Sequence, residues 1–339
     1  MACPNPQVRP YGPAVIQDAA ASILAGEIVA VPTETVYGLA ADATDAEAVA
    51  AIYTAKGRPS FNPLIVHVLD LVAAERIAVF DDDARVLAAA FWPGPLTLVL
   101  PLRAEAGIAS LVTAGLETVA IRVPAGRAVR DLLAACGRPL AAPSANASNG
   151  ISPTIAAHVA ASLGDAVPLI VDDGACAAGV ESTIVLGRMI LRPGPVTAEM
   201  LAFLFPDPCP LPGEGRGPVA KDLITAQPAD HDGPAIGPRP SPGRGSGVNA
   251  PGQLASHYAP RKPLRLNATS AEADEWLIGY GAIAGDESLG TTPPEAAANL
   301  FAVLHRADAA AAARIAVAPI PEYGIGLAIN DRLRRAAHR

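Results

Sequence analysis

GEIVAVPTETVYGLAADATDAEAVAAIYTAKGRPSFNPLIVHV, residues 26–68, carries the alternation on which the fold reading turns. Glu27–Val31 is a short β-branched run and predicts a strand; Leu64–Val68 predicts another. Between them Asp45 stands where an N-cap belongs, and Asp45–Lys56 has the apolar spacing of a helix. Two polar stretches, Pro32–Asp42 and Lys56–His67, adjoin the strand ends, where α/β folds place their ligands.

The same alternation continues on both sides. Further strands are predicted at Leu96–Leu100, Val119–Val123, Leu169–Asp172, Thr183–Leu186 and Met189–Arg192. Helices are predicted at Pro13–Ala25, Asp81–Phe91, Arg127–Cys136, Pro153–Leu163 and Thr197–Phe205, with Ser152-Pro153 as a cap followed by Pro at the first helical position. The pattern is that of an α/β fold with room for antiparallel pairs. Composition changes at Gly233–Gly252, where eleven of twenty residues are Gly or Pro, a density that marks a linker. Beyond it, Leu264–Leu266, Leu277–Ala284 and Arg314–Val317 read as strands, and Pro294–His305 and Gly326–Ala337 as helices. That β-α-β order describes a small Rossmann-like α/β unit. The expected organisation is a catalytic domain at 1–208, a linker at 209–261 that is also a candidate active-site lid, and a C-terminal domain at 262–339.

At 339 residues the chain suits two domains, and with 51% hydrophobic residues it can bury a sizeable core. No apolar run approaches the ~20 residues of a membrane span, and the N-terminal stretch lacks the apolar region of a secretory signal. The four cysteines are scattered, with no C-x-x-C pair, so neither a zinc ribbon nor a disulfide framework is expected. The expected compartment is the cytoplasm. A net charge of −8 weighs against RNA as the main ligand.

Five polar clusters carry the chemistry. Lys56, Arg58, Ser60 and Asn62 alternate, so in an extended segment they share a face and form an anion cradle; a solvated loop at a helix end is the plainer reading. Ala142–Thr154, APSANASNGISPT, is small and polar and leads into a helix, which suits phosphate but also an ordinary capped turn. Arg122 lies inside the apolar strand VAIRV and must meet either a ligand or a buried Asp or Glu. His67 in LIVHV is by itself a core residue as readily as a ligand, and Glu181-Ser182-Thr183 is a weak signal. The tail RLRRAAHR reads as a solvated helix face.

Taken together, PTETVYGL, K-x-R-P-x-x-N-P-L, WPGPLTLVL, R-V-P, APSAN and S-T-I-V, in this order across residues 13–205, resemble the YrdC-like family of threonylcarbamoyl-adenylate synthases. APGQLASHYAP (Ala250–Pro260) resembles the joining signature of its two-domain, Sua-type members, which residues 262–339 match more loosely. The resemblance implies a YrdC-like twisted mixed sheet with flanking helices. It also implies condensation of L-threonine, bicarbonate or CO2, and ATP to threonylcarbamoyl-AMP, with pyrophosphate released. The product serves tRNA modification through a downstream tRNA threonylcarbamoyl transferase complex; direct tRNA binding is left open.

Carried over residue by residue, Thr35, His67, Arg122 and Ser182 fall on threonine-binding positions, Arg122 taking the carboxylate. Arg58, Asn62, Thr118, Ser144, Asn146, Ser152 and Arg192 fall on nucleotide positions, with His257 or Tyr258 reaching in from the linker. Lys56 and Arg58 are expected to meet the phosphates, with Mg2+ held by phosphate oxygens and water. Position 142 is Ala where some relatives have Thr, and Ala255 replaces an aromatic hydroxyl. The alternatives are an RNA-binding module and a carbamoyltransferase of the hydrogenase-maturation type, the latter lacking its cysteine pairs here.

Overall fold

The structure, a computed structural model, describes residues 7–205 and 257–338. Most of the linker, including Gly233–Gly252 and Ala255, lies outside the described residues.

In the first segment the strands are β1 (Gln7–Pro10), β2 (Val29–Pro32), β3 (Tyr37–Asp42), β4 (Ile65–His67) and β5 (Leu96–Pro101). They are followed by β6 (Thr118–Arg122), β7 (Leu140–Ala141), β8 (Leu169–Asp172), β9 (Thr183–Leu186) and β10 (Met189–Arg192). They form one sheet in the order β1-β8-β2-β3-β7-β4-β6-β5-β9-β10. The pairing is mixed: β4–β6 and β5–β9 are parallel, whereas β2–β3, β5–β6 and β9–β10 are antiparallel.

Helices α1 (Pro13–Leu24), α2 (Ala46–Lys56), α3 (Leu71–Ile77), α4 (Asp82–Phe91), α5 (Ser110–Thr113), α6 (Arg127–Cys136), α7 (Ala156–Leu163) and α8 (Ala198–Leu204) cover the sheet. On one face Ile16, Ala19 and Ile23 of α1 and Val129 and Leu132 of α6 pack on Val29 and Val31 of β2. On the other, Val49 and Ile52 of α2 and Leu87 of α4 pack on Leu39, Val66 and Leu98. Asp45 caps α2, its carboxylate accepting from the Glu47 and Ala48 amides.

Three elements differ from the sequence reading. The Ser152-Pro153 pair does not open α7: the helix starts at Ala156 with Ile155 at the N-cap, and the Ser152 hydroxyl donates to Glu181 instead. Lys56 to Asn62 is not an extended face, because α2 ends at Lys56, Gly57 turns left-handed at φ 59°, and the Asn62 amide closes a turn onto Pro59. The predicted strand Leu277–Ala284 is shorter, since the chain turns back at Tyr280–Ile283.

The second segment forms a four-stranded sheet, β11 (Leu264–Arg265), β12 (Glu275–Gly279), β13 (Glu287–Ser288) and β14 (Arg314–Val317), ordered β11-β14-β12-β13. Every pairing in it is parallel, as a small Rossmann-like unit requires. It packs with α9 (Pro293–Ala309), opened by a Thr292–Glu295 capping box, and α10 (Gly326–Ala337). Val36, Ile151 and Val180 of the first segment belong to the same apolar cluster as Phe301, Leu304 and Ile329 of the second. Among the described residues no helix is long and apolar enough to cross a membrane.

Candidate active site

Strand β6 delivers Arg122 to the sheet's interior, with only 3% of the residue exposed. A bare guanidinium there would be very costly, and three neighbours accept from or pair with it. Its Nε donates to the Gly94 carbonyl at 3.1 Å, Nη1 donates to Thr35 Oγ1 at 3.0 Å, and Nη2 pairs with Glu34 Oε1 at 2.5 Å. Thr35 and Glu34 are placed by the tight connection between β2 and β3, where Thr33 Oγ1 donates to the Val36 carbonyl and accepts from the Thr35 amide. Burial pushes the Glu34 carboxyl up, but the Arg122 charge and hydrogen bond, together with backbone amides, hold it below the ordinary carboxylate value. Of the two fates open to Arg122, an internal carboxylate is thus realised, and the residue still faces a cavity.

Thr35, His67, Arg122 and Ser182 line one cavity, the four residues expected to bind threonine. His67 ends β4; burial, and then the Arg122 charge, lower its pKa to about 3, so the imidazole is neutral. Ser182 Oγ lies 2.8 Å from Thr97 Oγ1, and Arg192 holds the Ser182 carbonyl with both Nε and Nη2. Gly194 makes this possible: a Cβ there would stand 2.4 Å from the Thr183 amide nitrogen and 2.7 Å from the Glu181 carbonyl. The R-P-G after β10 is therefore a close backbone contact with the Glu181–Thr183 entry to β9.

Arg58, Ser144, Arg192 and His257 line the same cavity. Arg58 donates from Nε to the Asn62 carbonyl and from Nη2 to the Pro63 carbonyl, and burial lowers its pKa to about 10. Lys56 is placed differently from the expectation. It is 3% exposed, and its ammonium donates to the carbonyls of Ser144 and Asn146, behind the cavity wall. Burial, with Arg58 close by, pulls the ammonium pKa well below lysine's ordinary value. Asn146 braces the same segment by donating to the Ala147 and Gly150 carbonyls. Ser152 is fully buried behind Glu181, whose Oε1 accepts its hydroxyl at 2.5 Å. Thr118 starts β6, away from Arg122, and the β4–β6 register (Ile65 opposite Ala120) sets it about level with Pro63.

Buried polar atoms lacking partners cluster here. Among the described residues, Asn62 Oδ1, His67 Nδ1, Asn146 Oδ1, His257 Nδ1 and the Tyr258 hydroxyl are buried with no hydrogen bond. Such atoms cost free energy unless a ligand or water meets them. Of Lys56, Arg58 and Arg122, the cations an RNA-binding module would use, Lys56 and Arg122 are each 3% exposed and only Arg58 is partly open, so a duplex or single-strand backbone cannot lie on the set. This disfavours the RNA-binding reading.

Sequence reasoning missed Glu34 and rated Glu181 only a weak signal, because a carboxylate in a polar loop looks like an ordinary solvated residue. It also misread Arg332 in the C-terminal tail, which is fully buried, with Nε 3.0 Å from Glu181 Oε2. Further along that run Arg334 and Arg335 keep to the outer side, paired with Glu322 and Asp331.

Comparison with known proteins gives the family. Residues 21–194 match the Sua5–YciO–YrdC family model, described as "Telomere recombination", and residues 219–338 match the model of the threonylcarbamoyl-AMP synthase C-terminal domain. The chain is 37% identical to the threonylcarbamoyl-AMP synthase of Bacillus subtilis over 95% of its own length and 92% of the relative's. It is 38% identical to that of Pyrococcus abyssi, over 95% and 94%. The crystal structure of P. abyssi Sua5 complexed with L-threonine superposes with a TM-score of 0.80 at 34% identity, covering 95% of this chain and 94% of that one. With both domains matched and both segments aligned to one relative, the chain belongs to the two-domain Sua5 family of threonylcarbamoyl-AMP synthases.

Proposed function

We propose that this chain condenses L-threonine, bicarbonate or carbon dioxide, and ATP to L-threonylcarbamoyl-AMP, releasing pyrophosphate. The observation that carries the reading is one cavity lined by three arginines, Arg58, Arg122 and Arg192, together with Thr35, His67, Ser144 and Ser182. A carboxylate and a polyphosphate, joined across one cavity, are the anions such an arrangement takes.

In the reaction the threonine amine attacks carbon dioxide and loses a proton, giving a carbamate. A carbamate oxygen then attacks the α-phosphorus, and the bond to pyrophosphate breaks. No covalent enzyme intermediate is required; the protein orients two anions and spreads developing charge. Arg122 holds the threonine carboxylate with N–H groups left over from Thr35 and Glu34. Neutral His67 and the Ser182 hydroxyl accept or donate at the amino-acid end. Arg58, Asn62, Ser144, Asn146 and Arg192 serve the nucleotide, with Ser152 and Thr118 in support and His257 or Tyr258 closing over it. Lys56 acts by fixing the Ser144–Asn146 carbonyls.

Magnesium enters with ATP as the nucleotide's counterion. Phosphate and water oxygens would hold it, as is usual for magnesium bound with a nucleotide. When bound, it neutralises phosphate charge. The division into a catalytic domain (1–208), linker (209–261) and C-terminal domain (262–339) is part of this proposal, supported by the two separate sheets. The product supplies a tRNA threonylcarbamoyl transferase complex that makes N6-threonylcarbamoyladenosine in ANN-decoding tRNA, which places the enzyme in the cytoplasm.

The test is pyrophosphate release from ATP with each amino acid in turn, with and without bicarbonate. Release that requires both threonine and bicarbonate is expected. Release indifferent to threonine would sink the reading.

A further inference from the structure

We infer that Arg332, on α10 of the C-terminal segment, is a positioning residue for the nucleotide end of the cavity, fixing Glu181 and through it Ser152, and seating Tyr258. The inference rests on the function proposed above.

Arg332 is 0% exposed and touches three parts of the catalytic segment or its wall. Its Nε donates to Glu181 Oε2 at 3.0 Å, while Nη1 donates to the Pro193 carbonyl at 2.6 Å. Its Cζ lies 5.5 Å from the centre of the Tyr258 ring. The other oxygen of Glu181 accepts the Ser152 hydroxyl at 2.5 Å. Glu181 and Tyr258 both line the cavity, yet Arg332 does not. One guanidinium thus spans the entry to β9 and the turn after β10, the two stretches whose contact Gly194 permits.

A second contact reaches the same residue independently. His305 Nε2, on α9, lies 3.2 Å from the Ser152 carbonyl. The C-terminal segment therefore holds Ser152 at both its hydroxyl, by way of Glu181, and its backbone.

Docking alone does not explain a buried arginine. The interface already has an apolar cluster around Val36, Ile151, Val180, Phe301 and Leu304. A buried ion pair is often no more stabilising than apolar residues of the same volume. What a planar fork adds is direction, because it fixes a carboxylate and a carbonyl at defined angles. Glu181 lines the cavity together with His257 and Tyr258, whose Nδ1 and hydroxyl are buried and unpartnered. Removing the fork should leave the cavity's residues in place but poorly aligned for the nucleotide.

The experiment measures ATP affinity by calorimetry, KM for ATP and for threonine, and Tm, all on the full chain. Three variants are compared with wild type: Arg332→Met, Arg332→Lys and Leu304→Ala. Leu304 is buried in the apolar cluster shared by the two segments and does not itself line the cavity. In Arg332→Met, ATP affinity should fall at least tenfold, with KM for ATP rising and KM for threonine little changed. Arg332→Lys keeps the charge but cannot hold Glu181 and Pro193 together, so ATP affinity should fall several-fold at nearly wild-type Tm. Leu304→Ala should lower Tm while leaving ATP affinity within about twofold. If Arg332→Met does not fold, the lysine variant decides alone. Wild-type ATP affinity in Arg332→Lys, or equal loss in Leu304→Ala, would overturn the assignment and reduce Arg332 to a docking contact. Wild-type protein that binds no ATP would overturn the functional reading itself, and this inference with it.

Discussion

Lys56→Met separates two roles that look alike in the sequence. Methionine has nearly the length of lysine and removes only the ammonium. In the structure that ammonium donates to the Ser144 and Asn146 carbonyls and is 3% exposed. Each carbonyl left buried without a donor costs about 1–3 kcal/mol. Relief from burying the amine returns part of this, so a net loss of about 2–4 kcal/mol is expected. In a domain of this size that corresponds to a fall in Tm of about 5–15 °C. The Ser144–Asn146 segment would then lose its register, and KM for ATP should rise about tenfold. The assays are thermal or urea unfolding and steady-state pyrophosphate release, on the same preparation. Unchanged or raised stability with a lower kcat would refute the reasoning, because it would mean that the ammonium acts on the phosphates.

Three other outcomes are expected. Arg122→Met leaves the Glu34 carboxylate buried without its partner, a loss of about 3–5 kcal/mol, and abolishes threonine-dependent pyrophosphate release; the Arg122→Met/Glu34→Gln double variant should regain stability but not activity. Gly194→Ala puts a Cβ 2.4 Å from the Thr183 amide nitrogen, so β9 and β10 must part; about 1–3 kcal/mol of stability and more than tenfold of kcat/KM should be lost, and a fully active variant would contradict the contact. Stability should also fall in mild acid. His67 and His158 have pKa values lowered to about 3 by burial first, and second by Arg122 for His67 and by the stacked His305 for His158. Between there and the ordinary value of about 6.5 the unfolded chain takes up protons that the folded chain cannot, so stability rises with pH across that window. For His67 alone, moving from pH 7 to pH 5 should cost about 2 kcal/mol, read as a lower urea midpoint. A midpoint unchanged to pH 5 would mean that the imidazole is hydrated.

Element type was legible wherever apolar spacing and caps agreed. Asp45 announces α2, and β8, β9 and β10 fall at the predicted residues. Strand β3 was not legible, since YGLAAD is buried on both faces and so lacks the alternation of a half-buried strand. Strand β1 was hidden by the prolines around it, and it sits at the sheet edge, pairing with β8. For the site, the residue types and the order of the motifs named Thr35, Arg58, His67, Arg122, Ser144, Ser182, Arg192 and His257 of the cavity wall, along with Lys56, Asn62, Thr118, Asn146 and Ser152, which do not line it. They could not assign Lys56 its partners, because a lysine three residues from a proline reads the same whether it turns inward or outward.

The sequence by itself determined the fold class and the family, because each rests on local spacing or on motifs read within one segment. Tertiary structure decided how the polar residues are used. Arg122 meets Glu34 across 88 positions, Lys56 meets Ser144 across 88, and Arg332 meets Glu181 across 151. Pairings at that range depend on sheet order and domain docking, and a buried charge takes whichever partner the packing brings within reach. That is why an arginine in a tail that reads as solvated ends up fully buried against the wall of the catalytic cavity.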